Sequence, residues 1–79
     1  LKVDIIFPKF GATMEEGTIL RWHKQPGQYV QKGEAVVEVE TEKTSMEVEA
    51  PESGTLAEIL AREGEVVKVT GIIGIIQTA

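Results

Sequence analysis

The second half of this chain echoes the first, and that echo constrains the fold more than any other feature. Gly17-Thr18 and Gly54-Thr55 stand 37 residues apart, and each pair is followed by another glycine ten residues after the first, Gly27 and Gly64. Tyr29 and Val30 then match Val66 and Val67, and Gly33 pairs with Gly71 if one residue of slippage is allowed. Two similar units in one short chain predict two like motifs related by an approximate two-fold axis, closed on each other so that few strand edges stay open. Glycines that merely punctuate turns would give part of this spacing in any β protein.

Within each unit the apolar residues recur with period two or in short β-branched runs, which is a strand pattern. Val3, Ile5 and Phe7 alternate with Lys2, Asp4 and Ile6 in a first strand that ends at Pro8. Val37 and Val39 alternate with Glu38 and Glu40, and Ile72 to Ile76, interrupted by Gly74, reads as a buried terminal strand. Leu56 to Arg62 is too short for a stable helix and is closed by Gly64, so it too is expected as strand. The fold class is all-β. With 79 residues and no Cys, a single small apolar core must supply the stability, and a deep catalytic cleft is not expected.

The most informative stretch lies between the two units and reads VEVETEKTSMEVEA. A turn at Thr41, Glu42, Lys43 and Thr44 sets Val39 opposite Met46, Val37 opposite Val48 and Ala35 opposite Ala50, all apolar. The same register puts Glu40 beside Ser45 and Glu38 opposite Glu47 on a wet, acidic face. Met46 is then a core residue on the inward side. Lys43 stands at the tip of a rigid hairpin, an accessible amine at a reproducible position. On residues alone, a solvated turn lysine is the ordinary reading.

The segment ETEKTSMEVEAP resembles the lipoyl attachment segment of dihydrolipoamide acyltransferases. PKFGATMEEGTILRWHKQPGQYVQKGE and SGTLAEILAREGEVV are similar to the two halves of the same family, the biotinyl and lipoyl carrier domains. The resemblance implies a flattened barrel of two four-stranded antiparallel sheets with quasi two-fold symmetry. It implies lipoic acid in amide linkage to Lys43, with Glu42 and Thr44 as its recognition neighbours. The family usually has Asp where Glu42 stands and often Ala where Thr44 stands, and both positions here stay acidic, then small.

As further implications, a lipoate ligase or lipoyltransferase attaches the group, and a thiamine diphosphate-dependent decarboxylase, an acyltransferase core and a dihydrolipoyl dehydrogenase use it in turn. In the family the loop after the first strand contributes to recognition by the decarboxylase, which makes Phe10, Thr13, Met14 and Glu15 candidate contacts. That loop looks closer to those of pyruvate and acetoin complexes. Related biotinyl domains have Met on both sides of the modified lysine, whereas Glu42 and Thr44 flank it here. A biotinyl carrier and an unmodified barrel-sandwich adaptor remain as alternatives.

Thirteen acidic residues against eight basic ones give a formal charge of -5, the wrong sign for phosphate-backbone binding. No apolar run approaches the roughly 20 residues that span a bilayer. Trp22 is expected in the core, and His23, the only histidine, as a surface strand residue. Glu15 with Glu16, and Glu40 with Glu42, are spread along an edge by strand alternation, not converged on a cation. No phosphate loop, zinc spacing or nucleophile elbow is present. The expectation is therefore a monomeric carrier domain, not a catalyst, with neither nucleic acid nor membrane as partner. It is expected as an excised N-terminal part of a longer chain from the cytoplasm or the mitochondrial matrix, the cytoplasm favoured.

Overall fold

The computed structural model describes residues 1–9, 14–42 and 44–78. One sheet contains β1 (Lys2–Ile6), β8 (Ile72–Gln77), β6 (Gly54–Ile59) and β3 (Tyr29–Val30) in that order. The other contains β5 (Ser45–Glu49), β4 (Ala35–Glu40), β2 (Glu16–Trp22) and β7 (Val66–Lys68). Every neighbouring pair is antiparallel. The predicted all-β, two-sheet architecture is what forms.

The two-fold relation holds strand by strand. Substituting β5, β4, β2 and β7 for β1, β8, β6 and β3 turns one sheet order into the other. The registers agree as well: Ser45 opposes Glu40 as Lys2 opposes Gln77, and Val48 opposes Val37 as Ile5 opposes Gly74. Even the irregularity is shared. An extra residue, Val36 in one sheet and Ile73 in the other, interrupts alternation at the same level, and both are fully buried. A β-bulge bends a strand and increases its twist, so both sheets curl toward each other at matching points.

Four turns built alike close the two units. In Gln25–Gln28, Gln31–Glu34 and Arg62–Glu65 the fourth residue's N–H donates to the first carbonyl. Its side-chain oxygen in turn accepts the first residue's N–H. The third residue has positive φ and is glycine each time: Gly27, Gly33 and Gly64. The fourth turn, Lys68–Gly71, has the same backbone bond but puts Thr70 at the positive-φ position, at 68°. This corrects the alignment of Gly33 with Gly71. Thr70 is the true counterpart, with no slippage, and its Thr N–H donates to the Phe7 carbonyl as the Gly33 N–H does to that of Ala50.

Between the sheets lies a core of Ile, Val and Leu with Phe7 and Trp22, in which Ile5, Phe7, Ile19, Val30, Val37, Val39, Leu56 and Ile76 are fully or almost fully buried. Each such side chain contributes about 1.5–3 kcal/mol relative to leaving it in water. The Trp22 indole N–H donates to the Ala61 carbonyl at 2.8 Å, so its one polar atom is satisfied inside. Gly17 and Gly54 are matched positions where strands approach too closely for any side chain. A Cβ on Gly17 would collide with the Phe7 ring, and one on Gly54 would lie 2.5 Å from the Gln77 carbonyl oxygen.

Three expectations fail in detail. Ala35 opposes Glu49, not Ala50, because Val36 is the extra residue of the bulge. Met46 faces Val39 as read, yet it is 39% exposed, since β5 is an edge strand that leaves its flank open. Strand β6 stops at Ile59, and the chain then turns so that the N–H groups of Leu60 and Ala61 both reach the Ile73 carbonyl.

Candidate functional site

From the turn as far as Val37, the hairpin of β4 and β5 forms in the register read from the sequence. Val39 opposes Met46, Val37 opposes Val48, Glu40 opposes Ser45 and Glu38 opposes Glu47. Alternation explains the result, since a slip of one residue would turn Val37, Val39 and Val48 out into water. All three are buried. The turn is closed by Thr41 and Thr44: the Thr41 N–H donates to the Thr44 carbonyl at 2.7 Å, and the Thr41 hydroxyl does so at 3.1 Å. The Thr44 N–H returns a bond to the Thr41 hydroxyl oxygen at 3.3 Å. A threonine side chain thus reinforces the backbone closure, a role such residues often take in turns.

Glu42 and Thr44 are both exposed. Lys43, the candidate attachment residue between them, lies outside the described residues, as do Phe10 and Thr13 of the candidate contact loop. Of that loop's other candidates, Met14 is half-buried and packs against the core, whereas Glu15 is exposed and its carbonyl accepts the Val69 N–H.

The hairpin and the two chain ends are counterparts under the two-fold relation. The Thr78 N–H donates to the Leu1 carbonyl just as the Thr41 N–H does to that of Thr44. They lie at opposite poles of a molecule 36 Å long. Phe7, at the far end of β1 from Leu1, packs where Gly17 meets the Glu40 carbonyl at the hairpin base.

The outer surface beside the hairpin is acidic. Glu38, Glu40, Glu42, Glu47 and Glu49 lie on β4, the turn and β5. His23 follows β2 as an exposed residue, beyond the strand in which it was expected. Its Nε2 lies 2.7 Å from Glu47 Oε2, a partner that sequence reasoning missed because 24 residues separate the two. Among the described residues no group of three or more His, Asp or Glu side chains converges as a metal site. Farther along, Glu34 is held below the usual carboxylate range, first by the Gln31 N–H and then by the Lys24 ammonium 3.0 Å away.

Comparison with known proteins agrees with this geometry. The profile of the biotin/lipoyl family, described as biotin-requiring enzyme, matches residues 3–76. The dihydrolipoyllysine-residue succinyltransferase component of the 2-oxoglutarate dehydrogenase complex of Bacillus subtilis is 47% identical over 73 residues, covering 92% of this chain and 18% of that protein. The dihydrolipoyllysine-residue acetyltransferase component of the acetoin cleaving system of the same organism is 43% identical over 65 residues, covering 82% and 16%. The chain thus spans less than a fifth of the length of these relatives. The solution structure of the lipoyl domain of the 2-oxoglutarate dehydrogenase complex from Azotobacter vinelandii superposes with a TM-score of 0.77 at 37% identity, covering 98% of this chain and 99% of that one. A profile that runs along nearly the whole chain, and a lipoyl domain that matches it end to end, settle its kinship: the chain belongs to the biotin/lipoyl carrier-domain family, as a lipoyl domain of the kind found in 2-oxo acid dehydrogenase acyltransferases.

Proposed function

We propose that this domain carries a lipoyl group in amide linkage on Lys43 and presents it to successive enzymes of a 2-oxo acid dehydrogenase complex. The observation that carries the reading is the hairpin itself. Two strands anchored by the buried Val37, Val39 and Val48 end in a turn fastened by Thr41 and Thr44, and its described members Glu42 and Thr44 face water. An attachment enzyme needs an amine that is reachable and reproducibly placed, and these surroundings suit one. Glu42 and Thr44 flank the lysine as its recognition neighbours, while Phe10, Thr13, Met14 and Glu15 serve as contacts for the decarboxylase. Met14, packed against the core, would act by fixing the loop.

When attached, a lipoyl group supplies the redox and acyl-transfer chemistry. The protein's own part is to hold the attachment point out from the fold, offer an acidic surface for recognition and raise the local concentration of the arm at each active site. The domain is in this reading a carrier and a substrate, not an enzyme. It sits within a longer acyltransferase chain, in the bacterial cytoplasm or the mitochondrial matrix. Its partners are a lipoate ligase or lipoyltransferase, the thiamine diphosphate-dependent decarboxylase, the acyltransferase core and dihydrolipoyl dehydrogenase. The loop sequence favours a pyruvate or acetoin complex, whereas the relative at 47% identity belongs to a 2-oxoglutarate complex. Reductive acylation assayed with pyruvate and 2-oxoglutarate decarboxylases in parallel decides between them.

Incubation with lipoate ligase, ATP and lipoate is expected to raise the intact mass by one lipoyl group. Lys43→Ala is expected to abolish the increase while leaving the amide spectrum dispersed. A lipoylated Lys43→Ala protein would sink the assignment. Reaction with avidin but not with a lipoyl antibody, after expression in a host holding both ligases, would replace it with the biotinyl reading.

A further inference from the structure

The matched halves agree in backbone and differ in what they show to water. Strands β1 and β5 are counterparts, Asp4 corresponding to Glu47, Ile5 to Val48 and Ile6 to Glu49, and both line one groove. Among the described residues each of these strands has only one neighbour, β8 and β4 respectively, so both leave an open edge at the seam between the sheets. A groove of about 340 Å³ lies along it. Ile5, Ile6 and Val48 supply apolar lining, and Asp4, Glu47 and Glu49 supply carboxylates. None of the described residues that line the groove is basic. Among the described residues the one basic side chain within reach of these carboxylates is the His23 imidazole at Glu47, and Asp4 and Glu49 enter no ion pair.

Strand β5 carries this chemistry in alternation. Met46 and Val48 point inward, Glu47 and Glu49 outward, and Met46 is left 39% exposed on the open flank. A segment laid against that edge would set its outward side chains beside two carboxylates and its inward ones beside a methionine and a valine. Opposite charges directly across a ladder stabilise it and like charges weaken it. Unpaired N–H and C=O groups at an edge are a template for a further strand.

We propose that the seam is a docking groove for an extended polypeptide segment in which Lys or Arg alternates with aliphatic residues, added to sheet β5-β4-β2-β7 as a fifth strand on β5. A second copy of this chain docking through its own β1 or β5 is disfavoured, because those edges bring further carboxylates to a molecule of charge -5. Occupancy requires nothing of Lys43, so the proposal stands or falls apart from the carrier reading.

The test uses the unmodified, isotope-labelled 79-residue chain and a capped heptapeptide of alternating Lys and Val, followed by amide chemical shifts. Saturable binding is expected, with shifts concentrated at 46–49 and 4–6. Glu49→Lys is expected to weaken it at least tenfold, and a peptide N-methylated on its edge-facing valines at least as much. Should Glu49→Lys disturb amides far from the seam, Glu49→Gln combined with Asp4→Asn replaces it, with at least a threefold loss expected. Absence of saturation at millimolar peptide, shifts centred on Glu38, Glu40 and Glu42, or equal binding of the N-methylated peptide would each overturn the proposal.

Discussion

Thr70 is the residue at which local chemistry and fold are most at odds. The three glycines that share its turn position tolerate a positive φ without penalty, while a β-branched side chain there costs on the order of 1–2 kcal/mol. Thr70→Asn keeps a side chain and suits the left-handed region, so it is expected to stabilise the fold by about 1 kcal/mol. Thermal unfolding should show this as a rise of about 4–8 °C in Tm. The same residue explains why the repeat was read with a slip: a search for glycines finds Gly71 and passes over the threonine that holds the turn. Glu34 makes a different test. Its carboxyl is held below its ordinary value in the fold, so its contribution is present above the usual glutamate pKa of about 4.3 and disappears as pH falls through the folded value. Glu34→Gln should therefore be less stable than the parent near neutral pH, with the gap closing in acid, as followed by urea unfolding at several pH values.

At the scale of the element, the β4–β5 hairpin was legible because alternation leaves only one register that buries Val37, Val39 and Val48 together. What alternation could not reveal was the bulge. Val36 and Val37 are consecutive and both buried, a pattern that two-residue periodicity has no place for, and it moves Ala35 from Ala50 to Glu49. Nor could it separate inward from covered, which is why Met46 was assigned to the core. Paired substitutions measure that distinction. Val48→Ala is expected to cost about 2 kcal/mol by urea unfolding, and Met46→Gln less than about 0.5 kcal/mol. An equal cost for both would mean that Met46 is covered after all. Lys43 as candidate attachment residue rests on its neighbours and on family resemblance, since a turn lysine on physical grounds alone is unremarkable.

For the molecule as a whole, the correspondence of the two sheets was half visible. Glycine spacing exposed the equivalence of β2, β3 and β4 with β6, β7 and β8. That of β1 with β5 left no glycine to find, only the prolines that follow each strand, Pro8 and Pro51. The complete symmetry makes a strong prediction about connectivity. Because Leu1 and Thr78 are bonded as Thr44 and Thr41 are, a one-residue link from Ala79 to Leu1, which matches the two residues between Thr41 and Thr44, with new ends cut between 42 and 43, should give a circular permutant that still folds. Cooperative urea unfolding within about 2 kcal/mol of the parent is the expected result. A permutant with a poorly dispersed amide spectrum would show that the closed hairpin is needed for folding and is not merely equivalent to the open one.

The two poles of this 36 Å body also differ in how they can be gripped. Anything spliced to either end, or any bead or electrode coupled there, holds the domain by its heel. The toe, with its exposed glutamate and threonine, is left to sweep through whatever volume the leash permits.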